Sequence, residues 1–470
     1  MLDFLLKKND KNGVHDKPEI EADDPFIKVN AETLIKNNVI DSELYAKHDV
    51  KRGLRNANGT GVVVGLTKIG DVVGYSINEK NEKIPIEGKL FYRGYNVEDL
   101  VENFLSEDRF GSEETSYLLL FGELPTKKQL AEFNRILAAK RDLPVGFARD
   151  MIMTTPSSSI MNKLARCILA MYIYDSSPED ITAPNVLRQS LEIMGCFPAL
   201  IAYAYQAKKA YFDNDSMHIH NPLPELSTAE NILRMIRPTG EFTKIEAKLL
   251  DISLVLHSEH GGGNNSSFTT HVVSSTDSDT YSVIAAAIGS LKGPKHGGAN
   301  FAVLEMIADL KKHVKDITNH KEVEKYLISV LKGEANDGSG LIYGLGHAIY
   351  TISDPRAVAL KRIAKDLAVD KGLLDDYMLF DFIERRAPEL YRDVKGTNVA
   401  MPANADLYSG FVYNALNIPI EISTPLFAMA RLSGWCAHRL EEILAGKRLI
   451  RPAYICVQEH LDYTPIGKRK

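Results

Sequence analysis

The sequence has little sulfur and little indole: four cysteines and one tryptophan in 470 residues. Cys167, Cys196, Cys436 and Cys456 lie far apart with no CxxC pair, which excludes a disulfide framework and a cysteine-based zinc site and predicts four reduced, packed thiols. No apolar run approaches the roughly 18 residues that a bilayer-spanning helix needs, so no membrane role is expected. The first ten residues, MLDFLLKKND, break into charge after a few apolar positions and fit neither a secretory signal nor a transit peptide; a cytoplasmic location is expected. Charge of one sign is also lacking: 56 Lys and Arg stand against 62 Asp and Glu, and the longest basic block is the terminal Lys468-Arg469-Lys470. A nucleic-acid partner is therefore not expected.

Nucleotide fingerprints are missing as well. Gly338-Ser-Gly340-Leu-Ile-Tyr343 lacks the third glycine of GxGxxG, and no GxxxxGK[ST] occurs. His257-Ser-Glu-His260 and His218-Ile-His220 each offer two nitrogens but no matching third ligand, so no metal is expected, and His218 and His220 read as a polar loop before Asn221-Pro222. No repeat and no low-complexity linker interrupts the chain.

What is present reads as mainly α. The length allows one large domain and a smaller one. Residues 1–50 are polar with scattered apolar positions and predict a peripheral arm with a short helix near Ala31–Asn37. The β-branched, glycine-punctuated stretch 61–94, including Val62-Val63-Val64, predicts a small β region. Thr126-Lys-Lys-Gln129 and Ser227-Thr-Ala-Glu230 have capping-box spacing, and Asp354-Pro355 starts a helix with the stripe Leu360, Ile363, Ala364, Leu367, Ala368. No βαβ alternation follows, which counts against a doubly wound sheet.

Four loop-like segments carry chemistry. They are His257-Ser-Glu-His260-Gly-Gly-Gly-Asn264, Gly293-Pro-Lys-His296-Gly-Gly-Ala-Asn300, Gly344-Leu-Gly-His347 leading to Asp354-Pro-Arg356, and Ala403-Asn-Ala-Asp406. Glycines beside a histidine let backbone and ligand approach the imidazole, at an entropic cost that a purely structural loop has no reason to carry repeatedly.

These segments, with Leu90-Phe-Tyr-Arg-Gly-Tyr95, Tyr117-Leu-Leu-Leu-Phe-Gly-Glu-Leu-Pro125, the run from Phe427 to His438 and Arg451-Pro452, closely resemble the citrate synthase family, in its bacterial si-type form, over about residues 50–455. The resemblance implies a two-domain helical fold, with a large domain from 1–300 plus 406–470 and a small one from 301–405. It implies condensation of acetyl-CoA with oxaloacetate and hydrolysis of citryl-CoA, with acetyl-CoA as substrate and no other cofactor. Asp406 matches the base, His296 the donor to the thioester oxygen, and His347 the group that polarises the ketone. His260, Arg356, Arg431 and Arg451 match the oxaloacetate ligands, bidentate guanidinium forks being suited to its two carboxylates. Arg451 is expected to reach across a homodimer interface, Gly344 and Gly346 to lie along CoA, and His257 to be structural. Leu345, Thr351 and Ala453 depart from the family's usual residues near CoA. A 2-methylcitrate synthase using propionyl-CoA would employ the same residues, whereas a catalytically silent helical regulator would be expected to lack one of them.

Overall fold

The structure, a computed structural model, describes residues 25–397 and 400–469. The first 24 residues of the expected arm, with the decapeptide read against targeting, lie outside the described residues. Residues up to Val63 form one unit and residues from Val64 another. In the first, α1 (Pro25–Asn38) spans the expected helix and buries none of its side chains. It is followed by α2 (Ser42–Lys47), where Asp41 accepts the Glu43 N–H at 3.0 Å. Val62-Val63-Val64 does not form the expected strand. The Val62 N–H donates to the Leu54 carbonyl and an isolated bridge joins Arg55 to Gly61. β-Branched residues become a strand only where a sheet edge is available to pair them.

The second unit opens with an antiparallel meander, β1 (Gly70–Ile77), β2 (Lys83–Tyr92) and β3 (Tyr95–Asn96), bulged between Val73 and Tyr75. Helices α3 (Val97–Ser106), α4 (Ser112–Phe121), α5 (Lys127–Ala139), α6 (Ile160–Met171), α7 (Ala183–Lys208), α8 (Thr228–Ile236) and α9 (Lys244–His257) follow. Then come α10 (Asn265–Ser274), α11 (Thr280–Lys292), α12 (Ala299–His313), α13 (His320–Leu331), α14 (Pro355–Lys371), α15 (Leu374–Lys395), α16 (Ala405–Ala415) and α17 (Ser423–Glu441). The protein is mainly α, and no described helix is long and apolar enough to cross a membrane.

Local signals place the helix starts. Both expected capping boxes close at α5 and α8, and Thr243 with Glu246 forms a third at α9 that the sequence reading passed over. Asp354 caps α14 with Pro355 in the first turn, and the stripe from Leu360 to Ala368 is buried. The long α17 lies at the centre, packed on α4, α7, α9, α10 and α11, with Trp435 fully buried. Beyond it, residues 451–465 run extended and exposed, with Tyr454, Leu461 and Tyr463 largely uncovered. Cys167, Cys196 and Cys436 are buried thiols as expected, but Cys456 sits in this tail and is exposed, so it has no packing role within the chain.

Candidate active site

Two loops are fastened side by side. The Gly346 N–H donates to the Pro402 carbonyl at 2.8 Å, the Asn404 N–H to Gly344 O at 3.0 Å and the Asn404 amide to Gly346 O at 3.0 Å. Asn404 Oδ1 also accepts the Asp406 N–H at 3.0 Å and so caps α16. Gly344 and Gly346 take φ of 85° and 84°, and a Cβ on Gly344 would come within 2.9 Å of Leu407. His347 and Asp406 are thereby carried by one hydrogen-bonded unit. The β meander supports it from behind: a Cβ on Gly88 would meet the Ser353 carbonyl at 2.1 Å, one on Gly74 would meet Ile349 O and Tyr350 Cα at 2.7 Å, and Thr351 donates to Gly74 O at 2.5 Å.

Each histidine is held in a different way. His347 Nδ1 accepts the N–H groups of Ile349 and Tyr350, both at 3.1 Å, so in the neutral ring the proton is on Nε2, making that atom the donor. The His260 ring lies 5.1 Å from that of His347 and 5.6 Å from Tyr350, and its Nε2 is buried without a partner. Burial, reinforced by Arg356 and His347, holds His260 well below its ordinary pKa. His296 Nε2 is 3.0 Å from Ser266 Oγ, which donates its hydroxyl proton to Asn264 Oδ1 at 3.0 Å and accepts the Trp435 indole N–H at 3.1 Å. Burial, and then Arg431, lowers His296 to about 4, leaving a neutral imidazole. Ser266 was not singled out from the sequence; its position two residues after Asn264 in the glycine-rich histidine motif was the available signal.

His257 behaves as a structural residue: its Nδ1–H donates to Ser253 O at 2.7 Å inside α9, and burial lowers it to about 3. The end of α9 and the segment after it are fixed by Tyr92, whose hydroxyl lies within 3.0–3.2 Å of the Val255, Leu256 and Glu259 carbonyls. This gives the LFYRGY motif its physical purpose.

The arginines divide into three kinds. Arg431 is fully buried; its Nε–H donates to His257 O at 2.8 Å, its plane lies 4.8 Å from the Phe427 ring centre, and neither Nη1 nor Nη2 has a partner. Burial, with Arg356 nearby, lowers it to about 10. Arg356 is buried and forked onto Asp354, which raises its pKa despite burial. Arg451 is exposed in the C-terminal tail and is not brought to the other residues within this chain. Asp406 keeps some exposure as a residue, yet burial of its carboxyl raises it to about 6 against the opposing pull of Arg356 and Arg431. Electrostatic interactions link Asp406 and His260 to both Arg356 and Arg431, His296 to Arg431 and His260, and His347 to His260, so six of the seven residues proposed for catalysis and oxaloacetate converge. Gly344 and Gly346 spend their hydrogen-bonding groups on the clamp and contribute shape.

A family model described as "Citrate synthase, C-terminal domain" matches residues 57–453. The chain belongs to the citrate synthase family. It is 34% identical over 428 residues to a citrate synthase of Haloferax volcanii, covering 90% of this chain and 99% of that one. It is also 31% identical over 381 residues to a 2-methylcitrate synthase of Shewanella oneidensis, covering 81% and 90%. Among solved structures, it is similar to the ternary complex of carboxymethyl coenzyme A and oxaloacetate with citrate synthase from Thermoplasma acidophilum, with a TM-score of 0.71, 26% identity and coverage of 89% of this chain and 99% of that one. Members of the family transfer acyl groups, so the chain is an enzyme of that type rather than a silent regulator.

Proposed function

We propose that this enzyme condenses acetyl-CoA with oxaloacetate and hydrolyses the resulting citryl-CoA to citrate and CoA. The observation that carries the reading is Arg431, a buried guanidinium with two unpartnered NH2 groups beside three histidines and a carboxylate of raised pKa. A buried cation in that state calls for an anion, and its planar fork fits a carboxylate. Arg356 receives the second carboxylate of oxaloacetate in exchange for part of its bond to Asp354. The Thermoplasma enzyme's complex with oxaloacetate and a CoA analogue supports both substrates for this chain.

Asp406 removes a proton from the thioester methyl. The negative charge developing on the thioester oxygen is stabilised at His296, a buried neutral imidazole anchored through Nε2 to Ser266 Oγ. The enolate carbon then attacks the oxaloacetate ketone, whose oxygen takes the Nε2–H bond of His347 and then a proton. Water attacks the thioester carbonyl of citryl-CoA, the C–S bond breaks and CoA leaves as the thiol. A division of the helical body near residues 300 and 406 sets His296 and Asp406 at the two crossings, where closure over substrate excludes water. Gly344 and Gly346 keep the loop slim where CoA passes. A homodimer brings Arg451 to the partner's site.

Relatives of both names make the acyl group the open choice. Thiol release from acetyl-CoA and from propionyl-CoA, each with oxaloacetate, tests the reading: a higher kcat/KM with acetyl-CoA supports it, and preference for propionyl-CoA replaces it with 2-methylcitrate synthesis.

A further inference from the structure

Two histidines outside the reaction face each other where α10 meets α17. His271 Nε2 and His438 Nδ1 are 3.1 Å apart. Their other nitrogens are taken by carboxylates: His271 Nδ1 lies 2.7 Å from Glu442 Oε2, and His438 Nε2 lies 3.0 Å from Glu259 Oε1. An ionised carboxylate only accepts, so both of those nitrogens carry the ring hydrogen, and each neutral imidazole turns a lone pair toward the other. A third acceptor joins them. Glu441 Oε2, buried and without a hydrogen-bond partner, is 3.9 Å from His438 Nδ1, while its Oε1 accepts the Lys68 N–H at 2.8 Å. All three inward atoms lie within 4.8 Å of one another, and among the described residues no other such group of three occurs.

Three acceptors converging without a donor are reconciled by a cation. Zinc bonds to imidazole nitrogen and carboxylate oxygen at about 2.0–2.2 Å, so tetrahedral ligand atoms stand about 3.3 Å apart, between the 3.1 Å of the two histidines and the 3.9 Å from His438 to Glu441. Two imidazoles and one carboxylate suit zinc or cobalt better than magnesium or calcium. Outside the inner three atoms, each histidine donates its far N–H to a carboxylate, the arrangement that fixes the tautomer and strengthens the ring as a ligand. Glu259, Glu441 and Glu442 bring negative charge, offset in part by Arg93, which lies in electrostatic reach of Glu259 and Glu441. A shared proton between the two rings is the rival occupant, but it leaves Glu441 Oε2 unanswered.

We propose that His271, His438 and Glu441 form a binding site for a divalent metal of the zinc class, with water as fourth ligand. The ligands come from α10 and from the end of α17, separated by 167 positions in sequence, which is why spacing alone pointed to no metal. The metal joins these helices and, through Glu259, braces the residue before His260. Its effect is on stability, and no catalytic step passes through it.

The full-length protein, stripped with chelator and titrated with Co2+, tests this. A visible absorption typical of tetrahedral cobalt, saturating at one ion per chain and displaced by Zn2+, with Zn2+ raising Tm, is the expected result. His438 is completely buried and its replacement risks misfolding, so the variants are His271→Gln and Glu441→Gln. Each should weaken binding by about 100-fold or more with an unchanged circular dichroism spectrum, and Glu442→Gln by about tenfold or more. No saturable cobalt signal in the folded wild type means the pair holds a proton only, and the proposal fails. It fails equally if the signal survives in both His271→Gln and Glu441→Gln.

Discussion

Arg356 holds the carboxylate of Asp354 through two hydrogen bonds, Nη2 to Oδ2 at 2.7 Å and Nε to Oδ1 at 3.1 Å, and both residues are buried. Burial alone would raise Asp354, yet this pairing holds it below its ordinary pKa. In the same pocket Arg431 has no carboxylate on its terminal nitrogens. One guanidinium is hydrogen-bonded to its counter-charge within the fold, whereas the other feels Glu259 only electrostatically and keeps its terminal nitrogens for an incoming anion.

Opposite stability effects should follow from removing the two arginines. Arg356→Leu strands Asp354 in the interior and should cost about 3–5 kcal/mol. Arg431→Met removes a desolvated cation while keeping most of the volume, so the ligand-free Tm should stay level or rise, and the Tm increase caused by oxaloacetate should vanish. Saturating ligand at about 100 times Kd is worth about 2.7 kcal/mol to the wild type. Thermal unfolding of both variants, with and without oxaloacetate, checks this; a full oxaloacetate shift in Arg431→Met would contradict the assigned role.

Replacing Asp406 by Asn should leave oxaloacetate binding intact and reduce kcat by about 100-fold or more, because an amide cannot accept the methyl proton. Steady-state thiol release together with a binding titration separates the two quantities, and a kcat within threefold of wild type would remove Asp406 from the mechanism.

The acid limb of kcat/KM should have its midpoint near pH 6. Asp406, the proposed base, has to be ionised to act, and burial raises it to about 6, whereas His296, lowered to about 4, is already neutral across that range. The same residue has a signature in stability. Its folded pKa lies above its ordinary 3.8, so its favourable contribution is complete below about pH 4 and is lost as pH rises through about 6. Asp406→Asn should therefore gain Tm over wild type above pH 6 and gain little below pH 4. A uniform difference across pH would argue against a shifted carboxyl.

The proposed reach of Arg451 into the partner's site makes complementation a test. Arg451→Ala and His347→Ala should each be nearly inactive, one lacking a carboxylate fork and the other the ketone's donor. A doubly tagged heterodimer of the two would contain one site with both lesions and one with neither, and should recover up to about half of wild-type activity. Activity no higher than the sum of the parents in a verified heterodimer would place Arg451 in its own subunit's site.

Features written in short stretches of sequence were legible. The capping boxes at Thr126 and Ser227 and the Asp354-Pro355 start all act through neighbours a few residues away. Val62-Val63-Val64 carries strand propensity, but propensity cannot supply the missing edge. The closeness of Gly74 and Gly88 to the loop after His347 depends on contacts more than 250 positions apart, and the pairing of His271 with His438 on two helices meeting side by side. For Cys456, thiol chemistry suggested burial, but the tail that carries it has no core beneath it.

The clamp between residues 344–346 and 402–404 has a mechanical consequence. By tying the loop of His347 to the start of α16, it makes His347 and Asp406, the proposed ketone donor and carbon base, ride as a single body, so thermal motion that displaces one carries the other along. His296 belongs to a different segment, just before α12, and is anchored through Ser266 to α10 and Trp435. The tolerances of the reaction are thus concentrated in one adjustable gap, and the precision of three reacting groups reduces to the control of a single distance.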